Sequence, residues 1–198
     1  MLSLAVLGDS IAHGTGASRP DDALGPRLVA ALAEDGLDVA LQVLAVPGAV
    51  SAGLAAQVRQ VTRADLALVV VGSNDLTRLV PPATAAEQLG AAVRQLRQLG
   101  AEVLVVPAPD LSTVPWVPPA LQSLVSTASG ELQRRQADAV RAAGGVLAPI
   151  GADLGQRFRA QPALFAADRF HPSSAGYALI AEALVPVVRA IARTRSAA

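Results

Sequence analysis

Short apolar runs alternate with longer amphipathic segments along the whole chain. The runs consist mainly of Val, Leu, Ile and Ala and are bounded by turn residues, which is typical of buried strands. Their hydrophobicity is nearly continuous, which indicates strands covered on both faces, as in a parallel sheet. The five predicted strands comprise residues 2–7, 39–46, 66–71, 103–106 and 146–150.

The segments between the predicted strands carry apolar residues at helical spacing. Glycines at positions 36, 100 and 144 are expected as C-terminal caps, and prolines at positions 81–82 and 118–119 precede two of the predicted helices. The helical patterns comprise Leu24, Leu28 and Leu32; Leu89, Val93, Leu96 and Leu99; Leu121, Leu124, Val125, Ala128 and Leu132; and Ile180, Leu184, Val187, Val188 and Ile191.

Alternation of strands and helices predicts an α/β fold. The expected architecture is a three-layer α/β/α sandwich, in which a doubly wound parallel five-stranded sheet is covered by helices on both faces. No linker, repeat or low-complexity tract divides the chain, so residues 1–198 are predicted to form a single domain.

Composition removes several classes of function. The 198 residues are 52% hydrophobic, which is enough to bury a core, and the net charge of +0 predicts no nucleic-acid partner. The chain contains no cysteine, which excludes disulfides, thiolate metal sites and cysteine nucleophiles. It also contains no lysine and only two histidines, so Schiff-base chemistry is excluded and neither a metal nor another cofactor is predicted.

The sequence gives no sign of a targeting segment. The first residues lack a basic stretch followed by a cleavage site, and the longest apolar stretch, 175–191, is interrupted by Glu182, Pro186 and Arg189. A membrane span needs about 20 apolar residues in succession. We therefore expect a soluble, cytoplasmic protein without a membrane span, and a monomer is the default.

Chemistry-bearing residues follow the predicted strands. Ligands of doubly wound sheets bind at the carboxyl ends of the strands, so the residues directly after each strand matter most. Pro172 disfavours a helical conformation at the residue before it and therefore predicts a loop there. The segments comprise Gly8-Asp9-Ser10, Val46-Pro47-Gly48-Ala49, Gly72-Ser73-Asn74-Asp75 and Asp168-Arg169-Phe170-His171.

Each segment also has an ordinary structural explanation, because serine, aspartate and glycine are common in turns and helix caps. The alternatives are a turn or cap at Asp9 and Ser10, a loop glycine at Gly48 before a helix capped by Ser51, a turn at Asn74 and Asp75, a helix cap at His171 and a surface ion pair of Asp168 with Arg169.

The same residues also suit acyl chemistry. Ser10 is a poor nucleophile until a base takes its proton, and His171 is a candidate base. Asp168, three residues earlier, can reach back to the imidazole and fix its tautomer. Asn74, the single asparagine of the chain, can donate a hydrogen bond to an oxyanion, and a glycine such as Gly48 lets a backbone N–H approach a reacting carbonyl.

In their order and positions, the four segments resemble the sequence blocks of the SGNH, or GDSL, hydrolase family over nearly the whole chain. The resemblance implies a flavodoxin-like fold of that family. It implies that Ser10 is the nucleophile, His171 the general base and later acid, and Asp168 its orienting partner. It also implies an oxyanion hole formed by the N–H groups of Ser10 and Gly48 and the amide of Asn74.

The chain departs from the family pattern in two places. No asparagine precedes Gly48 in the segment 44–48, and Ile11 stands where the first block has leucine. The other histidine, His13, has no nearby carboxylate to orient it. The α/β-hydrolase nucleophile elbow, G-x-S-x-G, is absent.

The predicted function is a serine hydrolase that cleaves an ester of a short-to-medium acyl chain through an acyl-enzyme. A carbohydrate deacetylase, a thioesterase or an acyltransferase could use the same site. A non-catalytic module that cradles phosphate or a nucleotide with residues 8–16 is disfavoured, because lysine and a G-x-G-x-x-G spacing are missing. The candidate substrate-binding residues, mostly in apolar loops after the third and fourth strands, are His13, Leu76, Leu111, Trp116 and Phe170.

Overall fold

The structure is a computed structural model that describes residues 1–150 and 152–196. The apolar runs form five strands, and each strand is parallel to its neighbours in one sheet. The strands are β1 (Leu2–Gly8), β2 (Val39–Val43), β3 (Leu66–Val70), β4 (Glu102–Val106) and β5 (Val146–Leu147).

Eight α-helices connect or flank the strands in the described part of the chain. Short 3₁₀ turns cover Pro20–Asp22, Ser51–Gly53, Leu111–Thr113 and Pro162–Leu164. The helices are α1 (Ser10–His13), α2 (Leu24–Glu34), α3 (Leu54–Val58), α4 (Ser73–Thr77), α5 (Pro82–Gln98), α6 (Pro119–Ala142), α7 (Ala152–Ala160) and α8 (Ser174–Ser196).

The strand order is β2-β1-β3-β4-β5. The chain runs from β1 to β2 on one side of the sheet and then returns to place β3 on the other side of β1. The loops after β1 and β3 therefore meet at the point where the strand order reverses, which is the usual ligand site of such sheets. The register sets Gly8 of β1 opposite Val70 of β3, so the two loops leave the sheet side by side.

Two apolar cores cover the two faces of the sheet. One core contains Leu28 of α2 and Leu184 of α8, and the other contains Leu54 of α3, Leu89 of α5 and Val140 of α6. Successive residues of the three central strands, β1, β3 and β4, divide between the two cores, as the two-residue period of a strand requires. The predicted three-layer α/β/α fold with a parallel five-stranded sheet is confirmed.

Prolines set the ends of β2 and β5, the two strands that are three residues shorter than predicted. β2 ends at Val43 rather than at residue 46, and β5 has two residues instead of five. The ladder contacts continue to Val46 and Ala148, whose N–H groups donate to Gly8 and Val105. Pro47 and Pro149 follow, and neither can donate a further backbone hydrogen bond.

The sequence signals predict where helices end better than they predict how many helices there are. The glycines after α2, α5 and α6 all have positive φ angles, of 77°, 89° and 75°, as expected of C-terminal caps. By contrast, α7 was not predicted. Among its described side chains, Leu154 and Phe158 are the large apolar ones, and two such residues in nine give little helical periodicity.

The last helix is more apolar than the sequence analysis allowed. By length and composition, Ser174–Arg195 could cross a membrane, although Glu182, Pro186 and Arg189 interrupt its apolar residues. In the structure 44% of its most apolar window is buried, and Tyr177, Leu184 and Val188 pack into the core beside α2. The packing of this helix against the sheet accounts for its high hydropathy.

Candidate active site

Ser10 lies at the start of α1, directly after the end of β1. Asp9 caps this helix, because its Oδ1 accepts the N–H of Ile11 at 2.9 Å, and its own N–H donates to the carbonyl of Val70 at 3.0 Å. The turn is thus bonded to the end of β3. Ser10 is 5% exposed and lies at the carboxyl edge of the sheet.

His171 is presented by a small hairpin before α8. An antiparallel bridge joins Phe165 to Pro172, and the N–H of Ala166 donates to the carbonyl of His171 at 2.8 Å. The hydroxyl of Ser173 accepts the N–H of Gly176 in the first turn of α8. The alternative in which His171 caps the last helix is therefore wrong, and His171 lies in a loop as predicted.

Three side chains from distant parts of the chain form one hydrogen-bonded row. His171 Nε2 lies 3.0 Å from Ser10 Oγ, and His171 Nδ1 lies 2.5 Å from Asp168 Oδ2. A carboxylate can only accept, so Nδ1 carries the proton and Nε2 is free to accept from the serine hydroxyl. This arrangement can draw a proton from Ser10.

The Asp168 carboxylate is fixed by its own loop. Its Oδ1 accepts the N–H groups of Phe170 at 2.9 Å and His171 at 3.0 Å. Partial burial raises the pKa of Asp168, but the hydrogen bonds from the His171 ring and the two N–H groups outweigh it and hold the pKa below its usual value. No ion pair joins it to Arg169 in the described residues, so that alternative is not supported.

The loop after β2 forms a tight turn beside α4. The N–H of Ala49 donates to the carbonyl of Val46 at 3.0 Å, and Gly48 has a φ of 81°. Proline followed by a residue with positive φ is the pattern of a type II turn, which explains the glycine. Asn74 Nδ2 donates to the carbonyl of Ala49 at 3.1 Å and thereby joins this turn to α4.

Several hydrogen-bond donors at this edge have no acceptor. In the part of the chain that the structure describes, the N–H groups of Ser10 and Gly48 make no hydrogen bond, and the Asn74 amide uses one of its two hydrogens. Unpaired donors of this kind are suited to a developing negative charge.

A buried carboxylate supports the same region. Asp75 is fully buried, and it accepts the N–H of Ser51 at 3.0 Å and the Ser51 hydroxyl at 3.1 Å. Ser51 was considered as a helix cap, but the 3₁₀ turn that it begins has no side-chain cap. Its side chain instead bonds to Asp75 and so connects the Gly48 loop to α4.

Asp9 is unusual because it is a buried acid beside the serine. It is 1% exposed, and its Oδ2 makes no hydrogen bond in the described residues. Burial raises the pKa of Asp9 to about 6, and the charge of Asp75 adds to this effect. The N–H dipoles of Ile11 and Gly72 and the charge of His171 oppose it.

A family model identifies the chain. The model described as the GDSL-like Lipase/Acylhydrolase family matches residues 6–179. The chain belongs to this family. It is also 39% identical over 192 residues to "GDSL-like esterase Rv1075c" of Mycobacterium tuberculosis, an alignment that covers 94% of this chain and 61% of that protein. The chain thus spans less than two thirds of the length of this curated relative.

Solved structures agree with the family fold. The crystal structure of TesA matches with a TM-score of 0.78 and 22% identity, covering 96% of this chain and 99% of that one. The psychrotrophic esterase EstA from Pseudoalteromonas sp. matches with a TM-score of 0.73 and 18% identity, covering 96% and 97% of the two chains. At these identities the likeness concerns the fold.

A largely apolar cavity of about 870 Å³ lies beside the serine and histidine loops. Its polar wall includes the buried hydroxyl of Ser73, which has no hydrogen-bond partner in the described residues, and Arg159. Two predicted substrate-binding residues, Leu111 and Phe170, line it. The apolar wall further includes Ile11, Val106, Val114, Leu154, Phe158 and Phe165.

The other three predicted substrate-binding residues do not line this cavity. Trp116 is 52% exposed and stacks on Phe170 with ring centroids 6.0 Å apart. Leu76 packs between two small apolar clusters, and His13, which is the last residue of α1, is exposed. No group of three or more acidic or histidine side chains able to hold a metal occurs among the described residues.

Proposed function

We propose that the protein is a carboxylic ester hydrolase that works through a covalent acyl-enzyme on Ser10. The observation that carries this proposal is the row in which Ser10 Oγ lies 3.0 Å from His171 Nε2 while His171 Nδ1 bonds to Asp168. Membership of a lipase and acylhydrolase family and 39% identity to a protein named as an esterase support the same chemistry.

In the first half of the reaction, His171 Nε2 takes the proton of Ser10 as Oγ attacks the ester carbonyl carbon. The carbonyl oxygen becomes an oxyanion and accepts hydrogen bonds from the N–H groups of Ser10 and Gly48 and from the Asn74 amide. The imidazolium of His171, stabilised by Asp168, then donates its proton to the departing alkoxide. The alcohol leaves, and the acyl group stays on Ser10.

In the second half, water replaces the alcohol. His171 takes a proton from water, and the hydroxide attacks the acyl carbon through a second oxyanion held by the same donors. Collapse of this intermediate breaks the bond to Oγ, and His171 returns the proton to Ser10. The acid product is released and the enzyme is regenerated.

The apolar cavity supports a substrate with an aliphatic acyl chain. Its walls are mainly Val, Leu, Ile, Phe, Ala and Pro, and burial of each methylene contributes about 0.8 kcal/mol. Leu111 and Phe170 place part of this wall next to the histidine loop. We propose esters of short-to-medium acyl chains as the substrate class.

Hydrolysis of p-nitrophenyl esters tests the proposal. The wild-type chain should cleave a series from acetate to octanoate, and Ser10→Ala should reduce turnover about 10⁴-fold or more while the circular dichroism spectrum stays unchanged. Ser123→Ala, an exposed serine of α6, is the matched control and should retain activity. Full activity in Ser10→Ala, or no hydrolysis of any ester by the wild-type chain, would contradict the proposal.

A further inference from the structure

Two buried glutamines outside the family blocks bind the backbone at the active edge of the sheet. Gln57 of α3 is 2% exposed. Its Oε1 accepts the N–H of Gly8 at 2.7 Å and its Nε2 donates to the carbonyl of Gly8 at 2.8 Å. One side-chain amide thus bonds to both polar groups of the residue at the end of β1, two positions before Ser10, and it is the acceptor of the Gly8 N–H, whereas the Gly8 carbonyl also accepts the N–H of Val46.

Gln136 makes the equivalent contact at the end of β3. It is fully buried in α6. Its Nε2 donates to the carbonyl of Val71 at 3.1 Å, and its Oε1 accepts the N–H of Ala108 at 2.8 Å. Gln136 therefore ties the segment that leads to Asn74 to the segment that follows β4.

The glycine of the third block is explained by this contact. Gly72 has a φ of 135°, and a Cβ at this position would lie 2.5 Å from the Ala108 side chain and 3.0 Å from Gln136 Nε2. Any larger residue would push the glutamine and the β4 loop away. The absence of a side chain at Gly72 lets the amide reach the Val71 carbonyl.

Only an uncharged amide of this length can make both pairs of hydrogen bonds. An ionised glutamate can accept but cannot donate, and an apolar residue of the same size can do neither. Removing the amides leaves the N–H groups of Gly8 and Ala108 without their acceptors and the Val71 carbonyl without its donor, so these peptides can move to find other partners. Both glutamines come from the helical layer that contains α3, α5 and α6, so this layer supports both loops.

We propose that Gln57 and Gln136 are positioning residues of the hydrolytic reaction, with Gln57 acting through the Ser10 turn and Gln136 acting through Asn74. The proposal rests on the function proposed above. Neither glutamine contacts Ser10, His171 or Asn74 directly, so each acts by fixing a peptide that carries a reacting group. A displacement of about 1 Å at such positions can lower a rate by about 100-fold, and a smaller displacement lowers it less.

The first measurement compares Gln57→Met and Gln136→Met with the wild type. Methionine keeps the length and fills the space but cannot form these hydrogen bonds. We expect kcat for p-nitrophenyl butyrate to fall about 10- to 100-fold in each variant, with KM changed less than about threefold. Asp65→Ala is the matched control, because it removes the hydrogen bonds that join Asp65 to Ser3 at the opposite edge of the sheet. Its kcat should stay within about twofold of the wild type.

A double-mutant cycle with Asn74→Ala distinguishes positioning from general loosening of the fold. If Gln136 acts through Asn74, adding Gln136→Met to Asn74→Ala should lower kcat less than about threefold further. Gln57→Met acts through the Ser10 turn and should keep most of its effect in the same background. An equal loss for Gln136→Met with and without Asn74 would overturn its assignment, and an unchanged kcat in either single variant would overturn that residue's role.

Titration of active sites distinguishes a lower kcat from a smaller fraction of folded enzyme. Turnover is counted per site that reacts with a phosphonate, and Gln57→Glu and Gln136→Glu replace the methionine variants if those do not fold. Each retains the acceptor and, when ionised, loses the donor, so the same loss of kcat is expected. Ser10→Ala is measured in parallel. Activity in Ser10→Ala would reject the proposed function, whereas an inactive Ser10→Ala with fully active glutamine variants would reject only the positioning role.

Discussion

The histidine side and the asparagine side of the site are held together by different kinds of contact. On the histidine side, His171 bonds directly to Ser10 through one ring nitrogen and to Asp168 through the other. On the asparagine side, the Asn74 amide bonds to the neighbouring turn at Ala49, and buried groups such as Asp75 fix the loops from behind. The histidine side is held by hydrogen bonds among its own side chains, and the asparagine side depends on neighbouring buried residues.

This difference has consequences for function and for prediction. The three side chains of the row act as one unit, because the imidazole takes the serine proton only while the carboxylate orients and stabilises it, so the loss of one member removes much of what the others contribute. Donors that do not touch each other contribute separately to the same oxyanion, so the loss of one leaves the rest working. Variants on the histidine side should therefore have the larger effects.

Asp168→Asn should give the largest loss among the variants that keep a side chain of the same shape. Asparagine lacks the charge that stabilises the imidazolium and can hold the ring in the wrong tautomer. We expect kcat to fall by about 10² to 10⁴, by analogy with the Asp-to-Asn change in the serine protease triad, which is the worked example of this effect. Steady-state hydrolysis measures it, with the exposed Asp138→Asn as control. Unchanged turnover would mean that another group orients His171.

Asn74→Ala should have an intermediate effect. Loss of one oxyanion donor typically lowers kcat by about 10² to 10³, while the N–H groups of Ser10 and Gly48 remain. KM should change little, because the amide contributes mainly in the transition state. Retained kcat together with a raised KM would assign Asn74 to ground-state binding and would remove the contrast between the two sides.

Trp116→Ala should have a small effect that depends on acyl chain length. Trp116 stacks on Phe170, whose ring meets the His171 ring edge-on at 5.0 Å, so its loss loosens the wall beside the histidine. We expect KM for octanoate esters to rise about three- to tenfold and acetate to be affected less, since the lost contact is apolar. Leu99→Ala, similarly exposed at the end of α5, is the control. Equal changes for all chain lengths would exclude Trp116 from the acyl site.

Asp9→Asn should change the free energy of unfolding by an amount that depends on pH. The folded state raises the pKa of Asp9 from 3.8 to about 6, so its native form favours the protonated acid. This contribution to stability is lost as pH rises from about 4 through about 6. The free energy of unfolding of Asp9→Asn relative to wild type should thus increase by on the order of 1–3 kcal/mol between pH 4 and pH 7.5.

Urea unfolding at the two pH values measures this difference. Asp21→Asn, an exposed acid for which no side-chain partner occurs in the described residues, serves as the reference and should give a difference that does not vary with pH. A constant difference for Asp9→Asn as well would show that folding does not raise the pKa of Asp9.

Sequence patterns predicted the strands and the positions of the four segments because both are local signals. Continuous apolar runs predict buried parallel strands, and glycine after a run predicts a turn at the strand end. The supporting groups could not be predicted in this way. Gln57 lies three residues from Gln60, and Gln136 lies three residues from Gln133. Nothing nearby in sequence distinguishes a glutamine that is buried by tertiary packing from one in solvent.

The same limit applies to the pairing of Ser51 with Asp75 and to α7. Ser51 precedes a helix and looked like a cap, but the carboxylate that binds it comes from 24 residues later in the chain. The α7 segment has too few apolar residues for a clear helical period. For Ser51 the decisive partner is distant in sequence, and for α7 the apolar positions are too few to show a period, so local spacing predicts neither.

Covalent labelling tests the central claim most directly. The wild-type chain is treated with diethyl p-nitrophenyl phosphate, and the adduct is located by peptide mass spectrometry. A single diethylphosphoryl group on Ser10, formed much more slowly in His171→Ala, is the predicted result. An adduct on another serine, or ester hydrolysis without any adduct on Ser10, would contradict the account.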